Sequence, residues 1–204
     1  GINPDRPEEP CVRDAVQTVP GRIILLNGAS SSGKSSLAHA IQARIDRPFW
    51  HISIDHLRDS GVLPSTRIKS GEFDWLMMRE AFFLGFERSL IAYVEAGNDL
   101  IVEHIMESEA WLLRLADTLI GQDIFFVGVH CALEELERRE RERGDRPIGD
   151  ARRDFHRIHS YCVYDLEIDT TQDRETYADA VIAAWRARTS PSAFERLRER
   201  WGRR

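Results

Sequence analysis

Eight residues near the start of the chain have the spacing of a phosphate-binding loop. Residues 28–35 read Gly-Ala-Ser-Ser-Ser-Gly-Lys-Ser and match the pattern G-x-x-x-x-G-K-[ST]. In such a loop the glycines let backbone N–H groups point at phosphate oxygens, while the lysine reaches the β- and γ-phosphates and the last hydroxyl ligates Mg²⁺. An apolar run precedes it and an amphipathic stretch follows, as the strand–loop–helix context requires. We predict that these residues hold a nucleotide: Gly28, Ala29, Ser30, Ser31, Ser32, Gly33, Lys34, Ser35 and Ser36, with Ser35 at the metal.

A carboxylate follows the second apolar stretch. Residues 50–54 alternate as a strand, and Asp55 comes directly after them. Ligands of parallel α/β sheets collect beyond the carboxyl ends of the strands, so Asp55 is expected to face the same cleft as the loop. It could accept a proton from an acceptor hydroxyl or hold water on Mg²⁺. The alternative is a helix N-cap, for which Asp is a favoured residue.

Polar residues also end the predicted third strand, residues 100–102, at Glu103 and His104. Glu103 could hold Mg²⁺ through water or orient an acceptor, and His104 could form a hydrogen bond to the substrate. Alternatively, one of the two faces the cleft and the other belongs to its wall. An acceptor pocket is expected to be mainly apolar, and one or two of these residues are candidates to line it: Trp50, Phe73, Trp75 and Met78. The aromatic set Phe82, Phe83 and Phe86 is predicted to be core.

Arginines crowd residues 138–146. The segment 143–149 carries two glycines and interrupts a helical pattern, which is typical of a lid hinge. We predict that Arg139, Arg143 and Arg146 bind the transferring phosphoryl group from this lid. Arg138 and Arg141 are instead expected on a solvated helix face, because three Glu–Arg pairs have favourable i,i+4 spacing: Glu134–Arg138, Glu135–Arg139 and Glu137–Arg141.

Strands alternating with helices predict an α/β fold with a mostly parallel five-stranded sheet. Expected strands are 22–27, 50–54, 100–102, 124–129 (apolar throughout, hence central) and 165–169, and expected helices are 34–46, 75–96, 108–119, 133–143, 175–188 and 193–201. Residues 60–74 are predicted to be a mobile segment. The chain divides into a flexible arm (1–20), one domain (21–189, lid about 139–150) and a tail (190–204). The tail either packs on the core or mediates dimer contact through Phe194, Leu197 and Trp201.

Composition narrows the class of protein. The 204 residues suit one α/β domain, and 42% hydrophobic residues are enough for a core. A net charge of −6 and no basic stripe disfavour a nucleic-acid partner. Three widely spaced cysteines and the absence of a long apolar run indicate a reduced, cytoplasmic protein with no membrane span. The spacing of His156 and His159 does not indicate a zinc site.

Four stretches together resemble the chloramphenicol phosphotransferase family, P-loop kinases that transfer the γ-phosphate of ATP to an antibiotic hydroxyl. They are residues 23–36, residues 54–57, residues 127–131 with the arginine-bearing 139–146, and residues 164–171. The resemblance spans residues 22–188 and implies a nucleoside-kinase-like fold, use of ATP and Mg²⁺, and antibiotic inactivation. It implies that Asp55 is the catalytic aspartate and that Thr170 and Thr171 border the adenine. The family's third strand usually ends in two aspartates, where this chain has Glu103 and His104, so the acceptor is left open.

Two other classes of function remain possible from the residues. The protein could phosphorylate a nucleotide or a nucleic-acid end, or it could be a nucleotide-dependent switch or toxin-like protein without metabolic chemistry. Asp55 and the lid arginines favour a small-molecule acceptor. A homodimer is also possible.

Overall fold

The computed structural model describes residues 19–171 and 175–203. Residues 1–18 of the predicted arm, Cys11 among them, therefore lie outside the described residues. The strands are β1 (Arg22–Gly28), β2 (Phe49–Ser53), β3 (Asp99–Glu103), β4 (Asp123–His130) and β5 (Leu166–Asp169). The helices are α1 (Lys34–Arg44), α2 (Ile54–Asp59), α3 (Ser65–Lys69), α4 (Trp75–Glu95), α5 (Glu109–Thr118), α6 (Leu133–Arg143), α7 (Asp150–Phe155), α8 (Glu175–Arg186) and α9 (Ala193–Gly202).

The strands form a parallel five-stranded sheet in the order β2-β3-β1-β4-β5. The prediction of a parallel α/β sheet is confirmed, but β1 and not β4 is the middle strand. β4 is still buried along most of its length, since it lies between β1 and β5. The register pairs Leu26 of β1 with Glu103 of β3, which brings the end of β3 beside the start of the loop after β1.

Helices cover both faces of the sheet. One face packs Leu25, Leu100 and Phe126 against α4, α5 and α9, and the other packs Ile24, Ile101 and Val127 against α1 and α8. Full burial of such side chains contributes about 1.5–3 kcal/mol each.

The tail helix α9 belongs to the core. Phe194 and Leu197 are buried in the first cluster, and the Phe194 ring lies 5.1 Å from that of Phe126. Trp201 packs against the same cluster. Of the two alternatives for the tail, packing on the core is therefore the one the structure contains.

Some boundaries differ from the sequence expectation. β2 ends at Ser53, and Ser53 rather than Asp55 caps α2, since its side chain accepts a hydrogen bond from the His56 amide at 3.2 Å. The segment predicted to be mobile contains the short helix α3. Helix α7 follows the lid loop and has no counterpart in the sequence expectation, because six residues are too few to show a helical period.

None of the helices in the described ranges is long and apolar enough to cross a lipid bilayer.

Candidate active site

The loop between β1 and α1 has the backbone of an anion cradle. Gly33 adopts φ 95° and Ser31 φ 68°, and both values lie in the left-handed region that L side chains rarely occupy. Helix α1 starts at Lys34 without a side-chain cap and without an acidic residue in its first turn. Its free N–H groups and the positive end of its dipole are therefore available to a phosphate group.

Lys34 is buried inside this loop. Its Nζ donates hydrogen bonds to the carbonyl oxygens of Gly28 at 2.7 Å and Ala29 at 2.9 Å. Burial lowers the pKa of Lys34, and the carboxylates of Glu103, Asp154 and Asp55 partly oppose that effect. Burial outweighs these carboxylates, so the net pKa of Lys34 is lowered.

Thr170, which directly follows β5, supports the phosphate-binding loop through hydrogen bonds. The Thr170 hydroxyl contacts the Ser32 carbonyl at 2.5 Å, and the Thr170 carbonyl accepts a bond from Nη2 of Arg139 at 2.8 Å. Nη1 of Arg139 also lies 3.5 Å from the Ser31 carbonyl. Thr170 is buried and supports the loop. The position of Thr170 and Thr171 beside the adenine, which the resemblance implied, stays a prediction.

Glu103 connects the loop to β2. Ser35 donates to its two carboxylate oxygens at 2.9 and 3.0 Å, and His51 Nε2 lies 2.5 Å from Oε2. Burial raises the pKa of Glu103, but the His51 hydrogen bond and the charge of Lys34 outweigh burial and the net pKa is lowered. An ionised carboxylate next to a serine hydroxyl is the kind of hard oxygen donor set that Mg²⁺ prefers.

Asp55 lies in the first turn of α2, at the cleft rather than at the cap. Its Oδ1 accepts a bond from Arg58 at 2.6 Å, and its Oδ2 accepts one from Arg146 at 2.7 Å. Arg146 comes from the lid loop, 91 residues further along the chain. The side chain of Asp55 is 43% exposed, so a ligand in the cleft can reach it.

The other lid arginines divide much as expected. Arg143 lies at the cleft and pairs with Asp145 at 3.1 Å, whereas Arg138 pairs with Glu135 and Glu142 on the solvated face. Of the predicted i,i+4 pairs the structure contains Glu135–Arg139. The predictions of the other two pairs, Glu134–Arg138 and Glu137–Arg141, were wrong. Arg138 instead forms ion pairs with Glu135 and Glu142, and Glu137 forms one with Arg152 of α7.

These groups surround a cleft of about 620 Å³. From the predicted site it brings together Ser30, Ser31, Gly33, Lys34, Ser35, Ser36, Asp55, Trp75, Glu103, His104, Arg139, Arg143 and Arg146. The side chains of Trp50, Phe73 and Met78 are not part of its lining. Trp50 lies on the edge strand β2 and donates a hydrogen bond to Asn98. The guanidinium of Arg67 lies over the ring of Phe73. Gly28, Ala29 and Ser32 are buried behind the loop surface.

His104 forms the inner wall of the cleft. Its Nε2 lies 3.2 Å from Oε1 of Glu87, which is fully buried on α4. Arg114 of α5 donates to both oxygens of the same carboxylate, at 2.9 and 3.0 Å. Burial raises the pKa of Glu87, but the hydrogen bonds from His104 and Arg114 outweigh it, so the net pKa is lowered.

Sequence reasoning missed several residues of the cleft. Arg58 lies one helical turn after Asp55, and that spacing was a usable signal. Phe83 is both core and cleft wall, with Arg79 4.8 Å above its ring. Asp154, whose Oδ2 accepts the Ser30 amide at 3.1 Å, lies on the helix α7 that the sequence did not reveal.

The parallel sheet, the phosphate-binding loop and the arginine-bearing lid define a P-loop kinase. Solved structures share this fold. The APS kinase of Mycobacterium tuberculosis in complex with AMPPNP and APS is 18% identical with a TM-score of 0.63, covering 82% of this chain and 98% of that chain. A gluconokinase from Sinorhizobium meliloti is 19% identical with a TM-score of 0.58, covering 83% and 94%.

Comparison of sequences gives the family. The model for chloramphenicol phosphotransferase-like proteins matches residues 21–186, so the chain belongs to that family. A Mycobacterium tuberculosis protein of strain H37Rv, provisionally named an O-phosphotransferase, is 31% identical, and the alignment covers 89% of this chain and 89% of that protein. Family and fold together make this protein an enzyme, a phosphotransferase with the fold of a P-loop kinase.

Proposed function

We propose that this protein transfers the γ-phosphoryl group of ATP to a hydroxyl group of a small molecule, with a hydroxyl-bearing antibiotic such as chloramphenicol as the first acceptor to test. The observation that carries the proposal is the cleft itself. It joins the phosphate-binding loop, Asp55 and the lid arginines to a wall formed by Trp75, Phe83 and His104. A cleft of this size and mixed lining suits a drug-sized ligand.

The residues have complementary roles in this reaction. The loop amides and Lys34 bind the phosphates, while Arg139 and Arg143 offset negative charge on the transferring group. Asp55 accepts the proton of the acceptor hydroxyl as the oxygen bonds to the γ-phosphorus and ADP leaves. The pairing of Arg146 with Asp55 supports closure of the lid over the acceptor, which excludes water.

Mg²⁺ fits the donors present. Ser35 would offer its hydroxyl as a ligand, and the carboxylate of Glu103 beside it would hold the ion through a bound water. No cluster of three or more His, Cys, Asp or Glu in the described ranges is arranged to bind a metal without such additional ligands. When bound, Mg²⁺ neutralises charge on the β- and γ-phosphates.

The test is mass spectrometry of chloramphenicol and a panel of other hydroxyl-bearing antibiotics incubated with enzyme, ATP and Mg²⁺. A product heavier by one phosphoryl group is expected from the wild type and not from Lys34→Ala. Oligonucleotides and nucleotides in parallel reactions test the alternative acceptors. Phosphorylation of a nucleic-acid end alone, or slow ATP hydrolysis with no phosphorylated product from any acceptor, would contradict the proposal.

A further inference from the structure

Three elements combine to fix one imidazole at the inner wall of the cleft. His104 follows β3, Glu87 lies on α4 and Arg114 lies on α5. The His104 side chain is 1% exposed and that of Glu87 is 0% exposed, so this contact is made away from bulk water. A buried carboxylate without partners is costly, and here it has both the imidazole and a bidentate guanidinium.

The contact with Glu87 uses one nitrogen of the His104 ring, which leaves the other to accept a hydrogen bond from a ligand. Nε2 of His104 is directed at Glu87 Oε1 and serves as the donor in that bond, because an ionised carboxylate only accepts. Arg114 already supplies a positive charge to Glu87, so the contact with His104 needs only the Nε2–H donor of the ring. Nδ1 is then the hydrogen-bond acceptor of the ring.

Aromatic neighbours keep the imidazole from rotating. The Phe83 ring is stacked 5.9 Å from it, and the Phe86 ring meets it edge-on at 5.8 Å. Both His104 and Phe83 line the cleft, which also contains Asp55 and Lys34. The imidazole is therefore held in one orientation beside Phe83 in the wall of the cleft.

We propose that His104 is a specificity-determining residue, which accepts a hydrogen bond from the acceptor molecule while Glu87 and Arg114 act as positioning residues for its imidazole. The inference rests on the proposed function and narrows its substrate class. The acceptor carries a hydrogen-bond donor, a hydroxyl or amide N–H, next to an apolar or planar part that packs on Phe83 and Trp75. Acceptors without that donor leave the buried imidazole unpaired and are rejected.

Kinetics test the role with the panel antibiotic that gives the largest phosphorylated product, chloramphenicol being the first used. His104→Phe keeps an aromatic ring but loses the acceptor atom, and we expect its KM for the antibiotic to rise about ten- to hundred-fold. The dissociation constant for ATP should change less than about two-fold, because the variant ring does not touch the phosphate-binding loop. His104→Asn, whose amide oxygen can replace Nδ1, should recover part of the affinity, and the exposed His156→Phe is the matched control.

Nitrogen-15 NMR of the histidine side chains tests the geometry without turnover. The resonances absent from His104→Phe identify His104, which should be the Nε2–H tautomer. Its Nδ1 signal should shift on addition of the antibiotic, and in Glu87→Gln the preference for that tautomer should weaken. An Nδ1–H tautomer, or an unchanged KM in a folded His104→Phe, would overturn this inference alone. If the wild type phosphorylates nothing in the panel, the proposed function fails and the inference fails with it.

Discussion

The carboxylate of Asp55 accepts a hydrogen bond from the Arg146 guanidinium at 2.7 Å, which connects the first turn of α2 to the lid loop. Arg58 of α2 contacts the other oxygen of the same carboxylate at 2.6 Å. The group proposed to receive the acceptor proton is thus also in contact with the loop proposed to be a lid.

Replacement of Asp55 by Asn should separate chemistry from nucleotide binding. The amide cannot accept the acceptor proton, so kcat should fall by about 10²–10⁴-fold. ATP binding, measured by calorimetry, should persist because the loop and Lys34 are unchanged. The matched control is Asp59→Asn on the same helix, which also contacts Arg58, at 3.4 Å, but does not line the cleft. Equal kcat values for the two variants would remove Asp55 from the chemical step.

Arg139→Ala should impair phosphoryl transfer more than Arg138→Ala. The Arg139 guanidinium contacts the carbonyls of Thr170 and Ser31 beside the phosphate-binding loop, whereas Arg138 is paired with glutamates on the solvated face. Loss of one charge-stabilising donor at a reacting group lowers kcat by about 10²–10³-fold. Steady-state kinetics at saturating ATP measures it. Similar losses of kcat in both variants would mean that phosphoryl transfer depends on the total charge of α6 and not on the position of Arg139.

Glu103→Gln should weaken the enzyme's response to Mg²⁺. The carboxylate contacts Ser35 and is proposed to hold the metal through water, and loss of such an outer ligand lowers metal affinity by about 10- to 100-fold. Titration of Mn²⁺ into the enzyme–nucleotide complex, followed by electron paramagnetic resonance, reports this affinity directly. Glu107→Gln is the control, because Glu107 also lines the cleft but pairs with Arg79. If the two variants bind Mn²⁺ equally, Glu103 has no role at the metal.

Protein stability should decline in mild acid through His159. Burial, with smaller contributions from the charges of His130 and Lys34, lowers the pKa of His159 to about 4. Between the unfolded value of about 6.5 and this value the unfolded chain binds the proton and the folded protein does not, so the free energy of unfolding falls as the pH falls. The full difference is on the order of 3 kcal/mol.

Denaturant unfolding at pH 7 and pH 4.5 measures this linkage. His159→Asn should lose less stability between the two pH values than the wild type does. It also lacks the 2.5 Å contact of His159 with the Tyr164 hydroxyl, so the comparison is of slopes and not of absolute stability. The exposed His156→Asn should retain the wild-type slope. An unchanged slope in His159→Asn would show that other groups cause the acid sensitivity.

The sequence predicted the fold and the loop because both depend on local patterns. The glycines and the lysine of residues 28–35 specify their own backbone, and apolar runs specify buried parallel strands. The tertiary partners of single polar residues have no such signal. Glu103 meets His51 through strand pairing, and Glu87 meets His104 and Arg114 across three elements. These contacts depend on side-chain directions that a linear pattern does not contain.

The sequence also did not predict the short helices α2 and α7. The cap of α2 is Ser53, two residues earlier than Asp55, which the sequence offered as an alternative cap, because β2 ends before Ile54. Asp154 on α7 reaches the Ser30 amide over 124 residues. Neither helix is long enough to repeat a hydrophobic period.

The packing of α9 determines how much of the chain is needed for a folded enzyme. The family match ends at residue 186, yet Phe194 and Leu197 complete the cluster around Phe126. The carboxylate of Asp165 connects β4 to α9, because it accepts hydrogen bonds from the backbone amides of Phe126 and Ala193. A recombinant fragment cut at the family boundary would leave one side of the sheet bare to water and prone to self-association, so expression vectors should extend through Trp201.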